Sequence, residues 1–176
     1  MVGPITPGLE WSLYDSAMAD PANLWRVRWG MPNAQVDAWM FMAVAHGRRE
    51  GRHATLEDLL AAADWINHAI PTDEELLGGL NRLISAGLLE SRGNGFVLTH
   101  LGAALFMKVQ KRAGLWKQFD RLAVEFAELP TPMTPSWTPD PTDIEVAIAA
   151  YQNMAAAILK SVSGSGGKRR PQADRA

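Results

Sequence analysis

Three successive stretches in the first half of the chain place their apolar side chains at helical spacing. The first predicted helix covers residues 34–45, and the second runs from a Thr55 cap to Pro71. The third begins at Thr72, where Thr and a Glu three residues later form the capping-box pattern, and it ends at Gly87. Each stretch has one apolar stripe, so we expect the three helices to pack around a common core.

A short hairpin is predicted directly after the third helix. Residues 88–92 and 96–99 have strand character, and the intervening Gly93, Asn94 and Gly95 favour the positive φ angles of a tight turn. The order of three helices and a hairpin is that of a winged helix-turn-helix. The sequence therefore predicts a mainly α fold with a small β-hairpin, in which a winged helix-turn-helix core is followed by long C-terminal helices.

The other segments are assigned around that core. The predicted order is a Trp-containing N-terminal extension packed on the core (1–33), the winged helix-turn-helix (34–102), a long helix that Gly114 can interrupt (103–129), a Pro-rich arm (130–141), a C-terminal helix (142–162) and a disordered basic tail (163–176). In the C-terminal helix, Ile144, Ile148, Tyr151 and Ile158 lie on a seam that steps by four and three. Such a seam is typical of packing against another helix.

Composition excludes several classes of function. The chain has no Cys, which removes disulfides, thiolate catalysis and Cys-based zinc sites. No apolar run is long enough to span a membrane and no signal peptide is visible, so we expect a cytoplasmic protein. The four His lack metal-ligand spacing, and no catalytic motif is found, so we expect no metal, no cofactor and no enzymatic activity. Trp39 and Trp65 fall on helical stripes and are expected in the core.

Residues 72–102 carry a resemblance to a known group of proteins. They contain LNRLISAGLLE, then the hairpin, then Leu98, Thr99 and Gly102. This resembles the recognition helix, wing and L-T-x-x-G exit of bacterial winged-helix regulators such as the PadR and MarR families. A PadR-like protein would also have a dimerising C-terminal helix, which agrees with the seam, so the resemblance predicts a homodimer contact at Ile144, Ile148, Tyr151 and Ile158. The run 63–72 further resembles small uncharacterised bacterial proteins, and that resemblance implies no activity.

The resemblance implies a way of binding double-stranded DNA. In this fold the third helix enters the major groove and the wing touches the flanking backbone. Asn pairs with adenine and Arg with guanine, whereas basic and amide side chains outside the third helix would contact phosphate. The predicted DNA-contact residues are Asn81, Arg82 and Ser85 on the exposed face of the third helix, Arg92 and Asn94 on the hairpin, and Arg48, Arg49 and Arg52 in the loop after the first helix.

Charge argues against that reading. The formal net charge is −2, and Asp73 and Glu74 stand at the leading end of the third helix, where they would repel phosphate. Two hypotheses follow. One is a dimeric DNA-binding transcription regulator. The other is a winged-helix protein-interaction or assembly module without DNA binding. A small-molecule sensor is a third hypothesis, but nothing in the sequence identifies the ligand that it would bind.

Overall fold

The computed structural model describes residues 31–48, 53–111 and 113–165, with side chains as far as Ser161. This part of the chain is mainly helical with a small antiparallel sheet. Its elements are α1 (Asn33–Gly47), β1 (Ala54–Thr55), α2 (Leu56–Asn67), α3 (Asp73–Ser85), β2 (Leu89–Arg92), β3 (Gly95–Leu98), α4 (His100–Gln110), α5 (Leu115–Glu125) and α6 (Pro141–Ser165). The predictions for residues 1–30, for Arg49 and Arg52, and for the tail from residue 166 lie outside the described residues.

Two capping boxes fix where α2 and α3 begin. Thr55 Oγ1 accepts a hydrogen bond from the Asp58 N–H at 3.2 Å, and Thr72 Oγ1 accepts one from the Glu75 N–H at 3.2 Å. Each acidic side chain in turn accepts a hydrogen bond from the backbone N–H of its threonine. Two N–H groups that the helix leaves unpaired are therefore satisfied at each helix start. α2 ends earlier than predicted, because His68 takes a left-handed conformation (φ 51°) and its N–H closes the helix.

The sheet has three strands in the order β1–β3–β2, all antiparallel. β1 was not predicted, because two residues give no period. Its residue Ala54 approaches β3 so closely that a Cβ on Gly95 would lie 2.3 Å from the Ala54 carbonyl oxygen. The prediction of three positive φ angles in the hairpin turn is wrong. Only Gly93 has one (φ 59°), which suits a turn that needs glycine at its first central position alone.

α1 is the centre of the core, since every side chain from Val36 to Val44 is buried. It packs against α2, α3 and α5. α3 crosses it closely at Gly79, where a Cβ would lie 2.8 Å from Met40 Cγ. Trp39 is buried as predicted. The core prediction for Trp65 is wrong, because this side chain lies at the edge of the α2 stripe and is 58% exposed.

The L-T-x-x-G exit joins the end of α3 to the start of α4. Thr99 Oγ1 donates to the Gly87 carbonyl at 2.6 Å and accepts from the Gly102 N–H at 3.1 Å. A Cβ on Gly102 would lie 2.1 Å from the Leu88 carbonyl oxygen, so only glycine fits. The motif is therefore explained by local packing.

The predicted long helix after the hairpin is two helices. α4 ends at Gln110 and α5 begins after Gly114. Arg121 of α5 donates to the Val109 carbonyl at 3.1 Å and so satisfies a carbonyl at the end of α4. Phe119 and Leu122 bury the inner face of α5. The last helix, α6, continues to Ser165, past its predicted end at residue 162.

Candidate functional site

Arg82 was expected on the exposed face of the third helix, and this prediction is wrong. Arg82 is only 7% exposed, and its guanidinium faces α1. Arg82 Nε lies 2.9 and 3.1 Å from the two carboxylate oxygens of Asp37, and Nη2 lies 2.8 Å from Oδ1. Two guanidinium nitrogens thus contact the carboxylate, Nε both of its oxygens and Nη2 one of them, which makes a charge-assisted ion pair.

The ion pair joins α1 and α3 inside the fold. Asp37 is fully buried, and burial raises the pKa of its carboxyl while the Arg82 guanidinium opposes that shift. Sequence reasoning missed Asp37, which stands alone among apolar neighbours on α1. A single carboxylate in such a run needs a buried partner, because an unpaired buried charge is strongly unfavourable. That was the available signal for this contact.

Asn81 was also expected to be exposed, and it is buried as well, at 6%. Its amide nitrogen donates to the Trp137 carbonyl at 2.9 Å, and its amide oxygen accepts from the Trp137 N–H at 2.8 Å. The same nitrogen donates to the Leu77 carbonyl at 3.0 Å. The side chain therefore pairs with the backbone of the arm as a neighbouring strand would, and its base-reading atoms are occupied.

The arm that Asn81 holds also packs on the sheet. The Trp137 ring lies edge-on to Phe96 of β3, with 4.9 Å between the ring centroids. Phe96 is buried, and Trp137 is half-buried against the main core. The Pro-rich connection between α5 and α6 is thereby fastened to both α3 and the hairpin. The partner of Trp137 on β3 is distant in the chain, so the sequence did not identify this contact.

The surface left open on α3 is acidic or neutral. Asp73, Glu74 and Ser85 are its exposed side chains. On the hairpin, Arg92 is exposed and pairs with Glu90 at 2.9 Å. Asn94 Oδ1 lies 3.0 Å from His53 Nε2. Arg48 is also exposed, at the end of α1. Among the described residues, α3 therefore exposes no basic side chain. The exposed basic residue of the hairpin is Arg92.

The predicted dimer seam of α6 is used mainly within the chain. Ile144 and Tyr151 are buried against α2 and the core, and Ile148 is half-buried there. The Tyr151 hydroxyl donates to the Asp64 carboxylate of α2. Burial is the larger cause and this bond the smaller cause that raise the pKa of Tyr151 to about 12. Ile158, by contrast, is 55% exposed. Only the C-terminal part of the seam therefore remains open.

A groove of about 570 Å³ lies beside the hairpin. It is bounded by the start of α2, the hairpin turn, the arm and the first turns of α6. Glu57, Asp140 and Asp143 place three carboxylates on it, while Trp137 and Val146 give it apolar walls. None of the described residues that line it is Lys or Arg. We call this feature the acidic groove. The Thr142 N–H donates to Asp140, which lowers the pKa of that carboxyl.

Within the described ranges, no group of three or more His, Asp or Glu is arranged to hold a metal ion. None of the described helices is long and apolar enough to cross a membrane. Comparison with protein-family models, with curated proteins and with solved structures gives no match for this chain.

Proposed function

We propose that this protein is a winged-helix interaction module that acts through contacts with protein and does not read DNA with α3. The observation that carries the proposal is the internal use of Asn81 and Arg82. These are the two side chains of α3 that can bind a base edge through a pair of hydrogen bonds. Both are buried, one against the arm and the other against Asp37.

The element order supports the winged-helix part of this proposal. α1, β1, α2, α3, β2 and β3 follow one another, and the sheet order β1–β3–β2 puts the hairpin beside a first short strand. In winged-helix proteins the helix before the hairpin is the one that enters the major groove. Here that helix is α3, so the assignment can be judged on the residues that α3 exposes.

Charge supports the rest of the proposal. Binding to DNA draws most of its non-specific free energy from Lys and Arg that neutralise phosphates. The open surface of α3 carries Asp73 and Glu74, and the exposed arginine of the hairpin, Arg92, is shared with Glu90. A phosphate backbone laid along α3 would meet carboxylates first.

Exposed apolar side chains favour a protein partner. Several large ones lie on α2, α4, α5, the arm and α6: Trp65, Leu101, Met107, Trp116, Val124, Met133, Val146, Ile158 and Leu159. Aromatic residues and methionine are enriched at the centres of protein interfaces. These surfaces can bury apolar area against another protein without any loss of the internal contacts of α3.

A DNA-binding transcription regulator is the second candidate function. The winged-helix element order favours it. So do exposed basic side chains away from α3, such as Arg48 and Lys111. In that case DNA would contact the flanks of the module, with Arg92 and Asn94 of the hairpin nearby. Such a protein would bind DNA mainly by charge and would lose affinity steeply with salt.

The test is selection from fragmented genomic DNA by the purified full-length protein at about 50 and 200 mM salt. We expect no enriched sequence. A variant with Lys168, Arg169 and Arg170 changed to Gln separates weak charge-driven binding by the basic tail from binding by the fold. An enriched palindromic site whose affinity falls in Ser85→Ala or Arg92→Ala would overturn the proposal and establish the regulator.

A further inference from the structure

Two features at opposite ends of α6 have complementary chemistry. The acidic groove lies at its start, with Asp140 and Asp143. Beyond its end the sequence contains three consecutive basic residues, Lys168, Arg169 and Arg170, which lie outside the described residues. Oppositely charged surfaces of this kind steer association and fix its register.

The basic segment cannot reach the acidic groove of its own chain. Asp143 and Ser165 are about 33 Å apart along the helix axis, at about 1.5 Å per residue. Residues 168–170 extend at most about 10–17 Å from Ser165, even when fully stretched. They therefore fall well short of the carboxylates at the start of the same helix, and a contact between the two must involve another copy of the chain.

The exposed part of α6 offers a place for that copy to pack. From Ala156 to Ser161 every residue is exposed, whereas the preceding turns are covered by α2. The apolar seam continues through Ala155 to Ile158 into this exposed part. Lys160 is its one charged residue between Ala155 and Ser161. A helix face of this composition gains stability by packing against an identical face.

We infer that two copies pair through antiparallel α6 helices, with residues 168–170 of each copy bound in the acidic groove of the other. The inference rests on the proposed interaction function and names its partner as a second copy. A two-fold axis at Ile158 makes both contacts occur twice, which closes the assembly as a dimer.

Distances along the helices agree with this register. With the axis at Ile158, Ser165 of one copy lies opposite Tyr151 of the other. A fully stretched chain spans at most about 3.4 Å per residue, so residues 168–170 can reach about 10–17 Å further on. That length equals about seven to eleven residues of helix, which corresponds to positions from about 144 to about 140. Asp143 and Asp140 occupy these positions.

The acidic groove can hold arginine and lysine side chains in two ways. Its three carboxylates provide opposite charge, and the hydrogen bond from the Thr142 N–H lowers the pKa of Asp140. Trp137 offers an aromatic surface, to which a guanidinium is attracted. Both contributions matter, because a stable interface buries about 800 Å² on each partner. The exposed residues from Ala156 to Ser161 make less than two turns of helix and supply only part of that area.

The experiment is a charge swap, read out by sedimentation equilibrium. One variant reverses the basic segment (Lys168→Glu, Arg169→Glu, Arg170→Glu), and another reverses the groove (Glu57→Lys, Asp143→Lys). The wild-type chain is expected at twice its 19.2 kDa mass. Each variant alone should dissociate about tenfold or more readily, and an equimolar mixture should restore the dimer as a heterodimer.

Controls separate charge at the groove from charge elsewhere. Asp120 and Glu128 are exposed and lie outside the groove, so Asp120→Lys with Glu128→Lys should leave the dimer intact. Ile158→Glu should abolish it. Because the chain has no Cys, a single Gln110→Cys accepts a dye for energy transfer between the mixed variants.

Two results would overturn the inference. A monomeric wild-type chain at high micromolar concentration would exclude self-association, and dimers indifferent to both charge reversals would exclude the contact between tail and groove. If the groove variant does not fold, the tail variant decides alone, since its changes lie outside the described fold. Neither result bears on the DNA selection, which judges the proposed function separately.

Discussion

The crossing of α1 and α3 and the hairpin each contain an arginine–carboxylate pair, and the two pairs differ in their surroundings. Arg82 and Asp37 are buried, and their three contacts lie between 2.8 and 3.1 Å. Arg92 and Glu90 are exposed at 2.9 Å. Distance alone would rank the pairs as equal. Water decides the difference, because removing one partner from a buried pair leaves an uncompensated charge, whereas an exposed partner is simply resolvated.

The largest effect is expected from Arg82→Ala. It leaves the Asp37 carboxylate buried and unpaired, so the free energy of unfolding should fall by about 3–5 kcal/mol. Denaturant unfolding followed by circular dichroism measures this. Replacing both partners, Asp37→Leu with Arg82→Met, should recover most of the loss, because no charge is then buried. A single variant as stable as the wild type would contradict the structural role of the pair.

Asn81→Ala should have the next largest effect. It removes both hydrogen bonds to the arm and leaves the backbone of Trp137 without these partners, at about 1–3 kcal/mol. Hydrogen exchange should show faster exchange of the Trp137 amide, with α2 unaffected. Ser85→Ala, on the exposed side of the same helix, is the matched control and should change neither quantity. Unchanged exchange at Trp137 in Asn81→Ala would show that the arm is held by other contacts.

His46 is intermediate between the two arginines in burial, and it predicts a pH dependence. Its ring lies 5.6 Å from that of Trp65 and 5.5 Å from that of Phe106, and its Nε2 is buried with no hydrogen-bond partner among the described residues. Burial lowers the pKa of His46. The unfolded chain therefore binds a proton more readily than the folded one.

As the pH falls below about 6.5, the ordinary value for histidine, the contribution of His46 to stability should be lost. His46→Phe removes the titrating group and keeps an aromatic ring in place. The drop in melting temperature between about pH 7.5 and 5 should then be smaller than in the wild type. Parallel pH profiles for the two proteins would show that His46 titrates normally.

The smallest effect is expected from Arg92→Ala. The Arg92 guanidinium and its partner, the Glu90 carboxylate, are both exposed to solvent. The unfolding midpoint of the variant should therefore coincide with that of the wild type. The measurement is the same denaturant titration as for Arg82→Ala, at low and high salt. A loss comparable with that of Arg82→Ala would mean that exposure does not distinguish the two pairs.

Local signals made much of the fold predictable. The apolar stripes and threonine caps of α2 and α3 determine those helices within a few residues, and the glycines after Arg92 mark the hairpin turn. β1 was missed because its two residues depend on pairing with β3 rather than on a pattern of their own. The break between α4 and α5 was suggested by Gly114, but the arginine that satisfies the end of α4 comes from further along the chain.

The candidate site was less predictable, because it depends on partners far apart in sequence. Arg82 and Asp37 are separated by 45 positions, and Asn81 and Trp137 by 56. On a helical projection both α3 residues border the outer face, where exposure depends on what packs beside it. Nothing within α3 indicates that α1 and the arm cover its two flanks.

The Asn81–Trp137 pairing has a consequence for how this chain can tolerate change in length. It divides the connection between α5 and α6 into two short spans, each anchored at both ends. Added residues near Met133, which is fully exposed, would enlarge only the first span. Because the closure entropy of a loop grows slowly with its length, such insertions should be accepted there. Insertions between Trp137 and Asp140 would instead displace the start of α6 from α2, so homologous chains should vary in length before this tryptophan and not after it.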